Sequence, residues 1–197
     1  MDRSKRIAGI LFAVVVVGVA ALAILNSATF SVQYGQVSIL TRFGKIVGEP
    51  KEPGLHFKIP VVDEVVTYRT QKIVYETLSF TPYTGASNSD YQDFAVDTNT
   101  KDGQQVSIRY TVRFSIDPDK IKDVANTLGT EEEVVEKIVK TDSRIWARQI
   151  ARNYSAADLY TGNVDEVSQE IFDKLAPIFE DNGLISRRVW YQITPIH

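Results

Sequence analysis

Apolar residues in this chain of 197 follow three regimes: one unbroken run, a period-two stretch, and a stretch with three- and four-residue steps. The run covers residues 7–25, IAGILFAVVVVGVAALAIL, with no charge and no strong hydrogen-bonding side chain. Nineteen residues at about 1.5 Å each give roughly 28 Å of helix. That is just enough to cross a hydrocarbon core of about 30 Å. Helix is also the form that satisfies its own backbone polar groups there. The Val14 to Val17 run is a poor helix former in water, a weak preference that packing and lipid override.

The period-two stretch covers residues 31–116. Val106, Ile108, Tyr110, Val112, Phe114 and Ile116 share one face, with Ser107, Arg109, Thr111, Arg113 and Ser115 on the other. This pattern predicts a long half-buried antiparallel strand. Phe94, Val96 and Thr98 alternate before it, so a hairpin turning at Asp102-Gly103 is expected. Earlier strands are expected at residues 36–42, 55–59 and 65–75, with turns at Phe43-Gly44 and Pro53-Gly54. Residues 81–93 shift to Thr, Ser, Asn, Gly and Asp and read as a loop.

The last third is helical in pattern. Asp117 and Pro118 open a short helix to about Leu128. Thr130 and Glu133 form a capping box for a helix reaching about Arg152, with Val134, Val135, Ile138, Val139, Ile145, Trp146 and Ile150 as its buried stripe. Ser155 with Asp158 starts a short turn. Asn163 with Glu166 starts a helix over 163–181 that carries Val167, Ile171, Leu175 and Ile178, with Pro177 expected to kink it. Asn182-Gly183 ends that helix, and residues 185–193 read as a closing strand with Ile185, Val189, Tyr191 and Ile193 on one face.

Charge sets orientation. Arg3, Lys5 and Arg6 precede the apolar run, and residues 26–36 carry none. The positive-inside rule puts Met1 in the cytoplasm and the folded part on the opposite, periplasmic or extracytoplasmic side. A cleaved signal peptide is the competing reading, but its apolar region is about 7–15 residues long and Asn26-Ser27-Ala28 is a mediocre cleavage site. The formal net charge is −3, and near −5 without the N-terminal cluster, which repels phosphate backbones and argues against nucleic acid as a partner. The absence of cysteine excludes disulfides, thiolate nucleophiles and S-palmitoyl anchors.

Candidate chemistry is sparse. There is no His-x-x-x-His pair, Gly-x-Ser-x-Gly elbow or phosphate-cradling glycine loop. His56 reads as a structural residue at a strand start, and His197 is the last residue. Asp90, Asp93, Asp97 and Asp102 lack the alternate-position spacing of an EF-hand loop and read as a solvated loop. Glu131, Glu132 and Glu133 suit the positive end of a helix dipole. Arg187-Arg188 is a candidate partner patch, and Trp146 and Trp190 read as core. No catalytic residue, metal site or cofactor site is expected.

Three segments resemble one family. Gly35-Gln36-Val37, Thr41-Arg42-Phe43-Gly44-Lys45 and Pro53-Gly54-Leu55-His56-Phe57-Lys58-Ile59-Pro60 follow the order and spacing found in the SPFH family of stomatin, prohibitin, flotillin and HflK/HflC. The Thr100-Lys101-Asp102-Gly103-Gln104-Gln105-Val106 turn is similar to the family's T-x-DG-x-x-V element. The Asn182-Gly183-Leu184-Ile185 step also resembles it. The likeness covers roughly residues 30–195, and a prohibitin- or HflC-like member fits best. It implies an α+β fold: an N-terminal single transmembrane helix (residues 1–26), then an SPFH (band 7) domain made of a β-rich subdomain (30–116) and an α/β subdomain (117–197). It further implies a non-enzymatic scaffold that oligomerises into rings or cages, alone or with a paralogue. Such scaffolds organise membrane lipid and protein microdomains, and some regulate an FtsH-type AAA+ protease. The family continues into a long Ala- and Glu-rich coiled coil, and this chain stops at His197, where that helix is expected to begin. In two other respects the chain departs from the family: a longer loop over 82–93, and a helix over 163–181 that contains Pro177 and lacks an expected arginine.

The matched motif offers one candidate contact surface. Phe43, Leu55 and Phe57 lie near turns beside Arg42, Lys45 and Lys58, a combination suited to membrane headgroups or a neighbouring subunit. The alternative is that these aromatics pack a small β-core. A monomeric membrane-tethered binding module and a tethered hydrolase are the competing functions, the hydrolase being weakest because nucleophile and base cannot be paired.

Overall fold

The computed structural model describes residues 10–19, 26–78, 88–161 and 164–195. Of the expected span, residues 10–19 are helical and exposed, and the rest lies outside the described residues. Among the described residues no helix is long and apolar enough to cross a membrane. The fold is mixed α+β, in two compact units, Met1–Thr67 and Tyr68–His197. The expected boundary at 116/117 falls inside the second unit.

The first unit carries five strands: β1 (Thr29–Val32), β2 (Gln36–Arg42), β3 (Lys45–Lys51), β4 (Gly54–Phe57) and the start of β5 (Asp63–Arg69). β1 pairs antiparallel with β4, and β2 is central in a β3-β2-β5 sheet. Its small core is Val32, Val37, Ile39 and Leu40.

The second unit is built on β9 (Gln105–Ile116). All six alternating apolar residues from Val106 to Ile116 are at most 2% exposed, as the period-two pattern predicts. β10 (Leu184–Pro195) runs antiparallel along its whole length, and β6 (Ile73–Leu78) and β8 (Val96–Asn99) share its other edge. The β8–β9 hairpin turns at Thr100–Gln104, as expected from Asp102-Gly103. β7 (Tyr91–Phe94) pairs parallel to β6. Two strand expectations change here. The single strand 65–75 is two strands, β5 and β6, in different sheets, because Tyr68 and Arg69 bond to residues 129 and 131. The loop over 81–93 contributes its last residues to β7, and residues 79–87 lie outside the description.

The helices follow their caps. Asp117 accepts from the Asp119 N–H and opens a 3-10 turn (Pro118–Lys120) and α1 (Ile121–Thr127). The Thr130–Glu133 capping box has both bonds, at 2.9 and 3.4 Å. Behind it, α2 (Glu131–Val134) runs through a π-helical stretch (Val135–Lys140) into α3 (Thr141–Ala151). The buried positions Val135, Val139, Ser143, Ala147 and Ala151 recur every four residues, because the π stretch widens the turn. That register leaves Ile145, expected in the stripe, 40% exposed. Ser155 and Asp158 bond each other at the start of α4 (Ala156–Thr161). α5 (Val164–Asp181) buries Val167, Ile171, Leu175 and Phe179; Phe179 takes the place expected for Ile178 and meets Phe114 edge-on at 6.3 Å. The expected cap Asn163 lies outside the described residues. In β10 a register shift at Ser186/Arg188 accompanies an exposed Ile185.

Candidate functional site

β2 and β3 are joined by two residues, because Arg42 pairs directly with Lys45. Phe43 and Gly44 have φ of 50° and 78°, and positive φ at both central positions marks a type I′ turn. Asn-Gly is the ordinary choice there; a left-handed Phe costs about 1–2 kcal/mol. Among the described residues no side-chain packing offsets that cost, since Phe43 is 88% exposed. Val61 repeats the anomaly: a β-branched residue at φ 70° whose side chain is fully exposed. Leu55 and Phe57, two apart on β4 and so on one face, are 68% and 74% exposed, and Ile59 follows them. These aromatics therefore do not pack the β-core.

One ion pair brings the hairpin and the 59–63 turn to the same end of the unit. Arg42 Nε and Nη2 donate to the two carboxylate oxygens of Asp63 at 2.7 and 3.2 Å. Asp63 also accepts the Ile59 N–H at 2.8 Å, so its buried carboxylate is fully partnered. Arg42 first, then Ile59, hold the Asp63 carboxyl below its ordinary 3.8. An acid with a depressed folded pKa stabilises the fold above its unfolded value and loses that contribution as pH falls through the folded one. The stability difference between the protein and Asp63→Asn, followed by urea midpoint, is expected to be constant between about pH 5 and 8 and to shrink below about pH 4. A difference that grows toward acid would contradict the pairing.

Lys45 is exposed and Lys58 half-buried; neither makes a salt bridge or side-chain hydrogen bond among the described residues. An open concavity of about 390 Å³ lies beside the ion pair, with Val47, Phe57 and Ile59 forming an apolar wall next to Lys51 and Lys58. β4 is fixed against β1: Thr29 sits opposite Phe57, and the Lys58 N–H donates to the Ala28 carbonyl at 2.8 Å. His56, on the other face of β4, stacks on Phe30 at 5.6 Å and contacts the Glu52 carbonyl at 2.7 Å, a structural role.

The aspartates of the acidic stretch have separate partners. Asp90 pairs with Arg69; Asp93 meets Tyr75, Arg144 and Lys140; Asp102 meets Thr100 and the Ala156 N–H. Among the described residues no group of three or more His, Cys, Asp or Glu is placed to hold a metal ion. Asp63, Ile59 and Val61 belong to the site but were not singled out in the sequence. The available signal is the acid pair Asp63-Glu64 after Val61-Val62, downstream of a basic turn residue that needs a partner.

Comparison with curated proteins returns no match. Residues 30–189 match the SPFH domain / Band 7 family, from the second residue of β1 into β10, and the chain belongs to that family.

Proposed function

We propose that this protein is a single-pass, prohibitin- or HflC-like membrane scaffold that assembles into a large ring or cage and meets the bilayer surface through Phe43, Leu55, Phe57 and Val61. SPFH proteins are generally membrane-associated scaffolds that self-associate. One observation carries the surface assignment: Lys58 is hydrogen-bonded to Ala28, three residues past the end of the apolar run at Leu25. Three residues reach at most about 10 Å. The headgroup layer on each side of the hydrocarbon core is about 5–8 Å thick. With residues 7–25 in the bilayer, Phe57 and Lys58 therefore stand in or against that layer. Exposed aromatics beside Arg42, Lys45 and Lys58 are the composition that suits it.

In this reading the N-terminus is cytoplasmic and the folded units lie on the opposite side. The protein acts without an active site of its own, by grouping lipid and protein partners, with an FtsH-type protease as one candidate client. The test is the mass and negative-stain image of the protein extracted from its own membrane in mild detergent. Rings or cages of megadalton size are expected. A uniform monomer would overturn the scaffold and favour a tethered binding module.

A further inference from the structure

The concavity beside the ion pair has a structural origin that points to a ligand. β2 and β3 lose register: Leu40 faces Val47 and Ser38 faces Lys51, so Gly48, Glu49 and Pro50 oppose the single residue Ile39. The bulge bends β3 away from its partner. Gly48, at φ 74°, has nothing within 4 Å of where a Cβ would stand, so the backbone there is open to close approach. Two chemistries line the recess. Val47, Phe57 and Ile59 are apolar, and Lys51 and Lys58 are ammonium groups without a salt bridge or side-chain hydrogen bond among the described residues. Arg42 and Asp63 form one ion pair, so the lining of Arg42, Lys51, Lys58 and Asp63 keeps a net positive charge, with Lys58 near enough to Asp63 to be attracted to it.

We infer that this recess is a binding notch for the phosphate of an anionic membrane phospholipid, with Lys51 and Lys58 holding the phosphate and Phe57 and Ile59 against the glycerol and first acyl carbons. Lysine recognises phosphate as a compact point charge. The Lys58–Ala28 hydrogen bond places the notch at the height where lipid phosphates lie, so the inference rests on the membrane-surface reading above. A lipid fits the pairing of an apolar wall with ammonium groups, whereas a free oxyanion has no use for the wall.

The full chain is reconstituted in phosphatidylcholine bilayers, and its association with spin-labelled phosphatidylglycerol is compared with that of spin-labelled phosphatidylcholine. Attraction from Arg3, Lys5 and Arg6 is common to every variant. Lys51→Gln/Lys58→Gln is expected to lower the anionic-lipid association roughly fivefold or more, with an unchanged melting temperature. Lys72→Gln, the same charge loss at an exposed residue outside the contact surface, is expected to leave it within about twofold. Equal losses from Lys72→Gln and from either notch substitution would assign the effect to diffuse surface charge and overturn the notch. So would loss of inorganic phosphate binding in the double variant with lipid association unchanged, which would give the recess to a free oxyanion. If probes at residue 43 report water, the membrane-surface reading fails and the notch with it. If they report lipid while the double variant binds like the parent protein, the notch alone fails.

Discussion

Replacing Glu131 with Ala is expected to destabilise the second unit by about 3 kcal/mol, the low end of the cost of removing one partner from a buried ion pair. The side chain is 8% exposed and takes four bonds. Arg69 gives its backbone N–H at 2.9 Å, Nε at 2.9 Å and Nη2 at 2.6 Å, and the Tyr91 hydroxyl gives a fourth at 2.8 Å. Truncation strands those donors together, and an unpaired buried donor costs about 1–3 kcal/mol. Arg69 is about a third exposed and keeps Asp90, which is why the low end applies. Glu131 also starts α2 and Tyr91 starts β7, so within the second unit the one carboxylate ties these two elements to Arg69. Glu132→Ala removes the same charge from an exposed neighbour and is expected to cost under about 0.5 kcal/mol. Urea unfolding of the two variants side by side checks this. Equal midpoints would show that Glu131 acts only through the helix dipole.

That contrast marks where sequence patterns stop. The three glutamates look alike in the chain, and the dipole accounts for any acid in a first turn. Their different roles come from their partners: Lys137, one turn beyond Glu133, is local, whereas Arg69 lies 62 residues upstream of Glu131 and no local pattern reaches it. Elements whose signal is local were legible. β9 alternates because one face is core, and the caps at Asp117, Thr130 and Ser155 satisfy first-turn N–H groups from adjacent residues. Elements defined by tertiary pairing were not. β7 reads Tyr-Gln-Asp-Phe, a pattern that does not distinguish it from loop, and is a strand because β6 pairs with it. The π stretch inserts no recognisable residue, yet it moves Ile145 to the surface and Ser143 inward.

The candidate site divides the same way. Phe43-Gly44 announces a turn, and the basic residues around it announce a charged tip. Asp63, the residue that ties the tip to the 59–63 turn, lies 21 positions from Arg42 and gains its meaning only from the fold. The positive φ of Phe43 and Val61 is likewise invisible in the chain, and it is the observation that separates a surface aromatic tolerated by accident from one held outward at an energetic cost.

The second large effect is on local environment, and it bears on the central claim that this tip meets the bilayer. Because the chain contains no cysteine, Phe43→Cys, Val61→Cys and the exposed control Glu132→Cys each give a single labelling position. An environment-sensitive fluorophore at each position is read in proteoliposomes of the full chain carrying nitroxide near the lipid headgroup. Labels at 43 and 61 are expected to shift to the blue and to be quenched several-fold more by the lipid nitroxide than the label at 132, which stays accessible to an aqueous quencher. Labels at 43 and 61 that match the control in both quenchers would contradict the account, and the exposed apolar tip would then need another occupant.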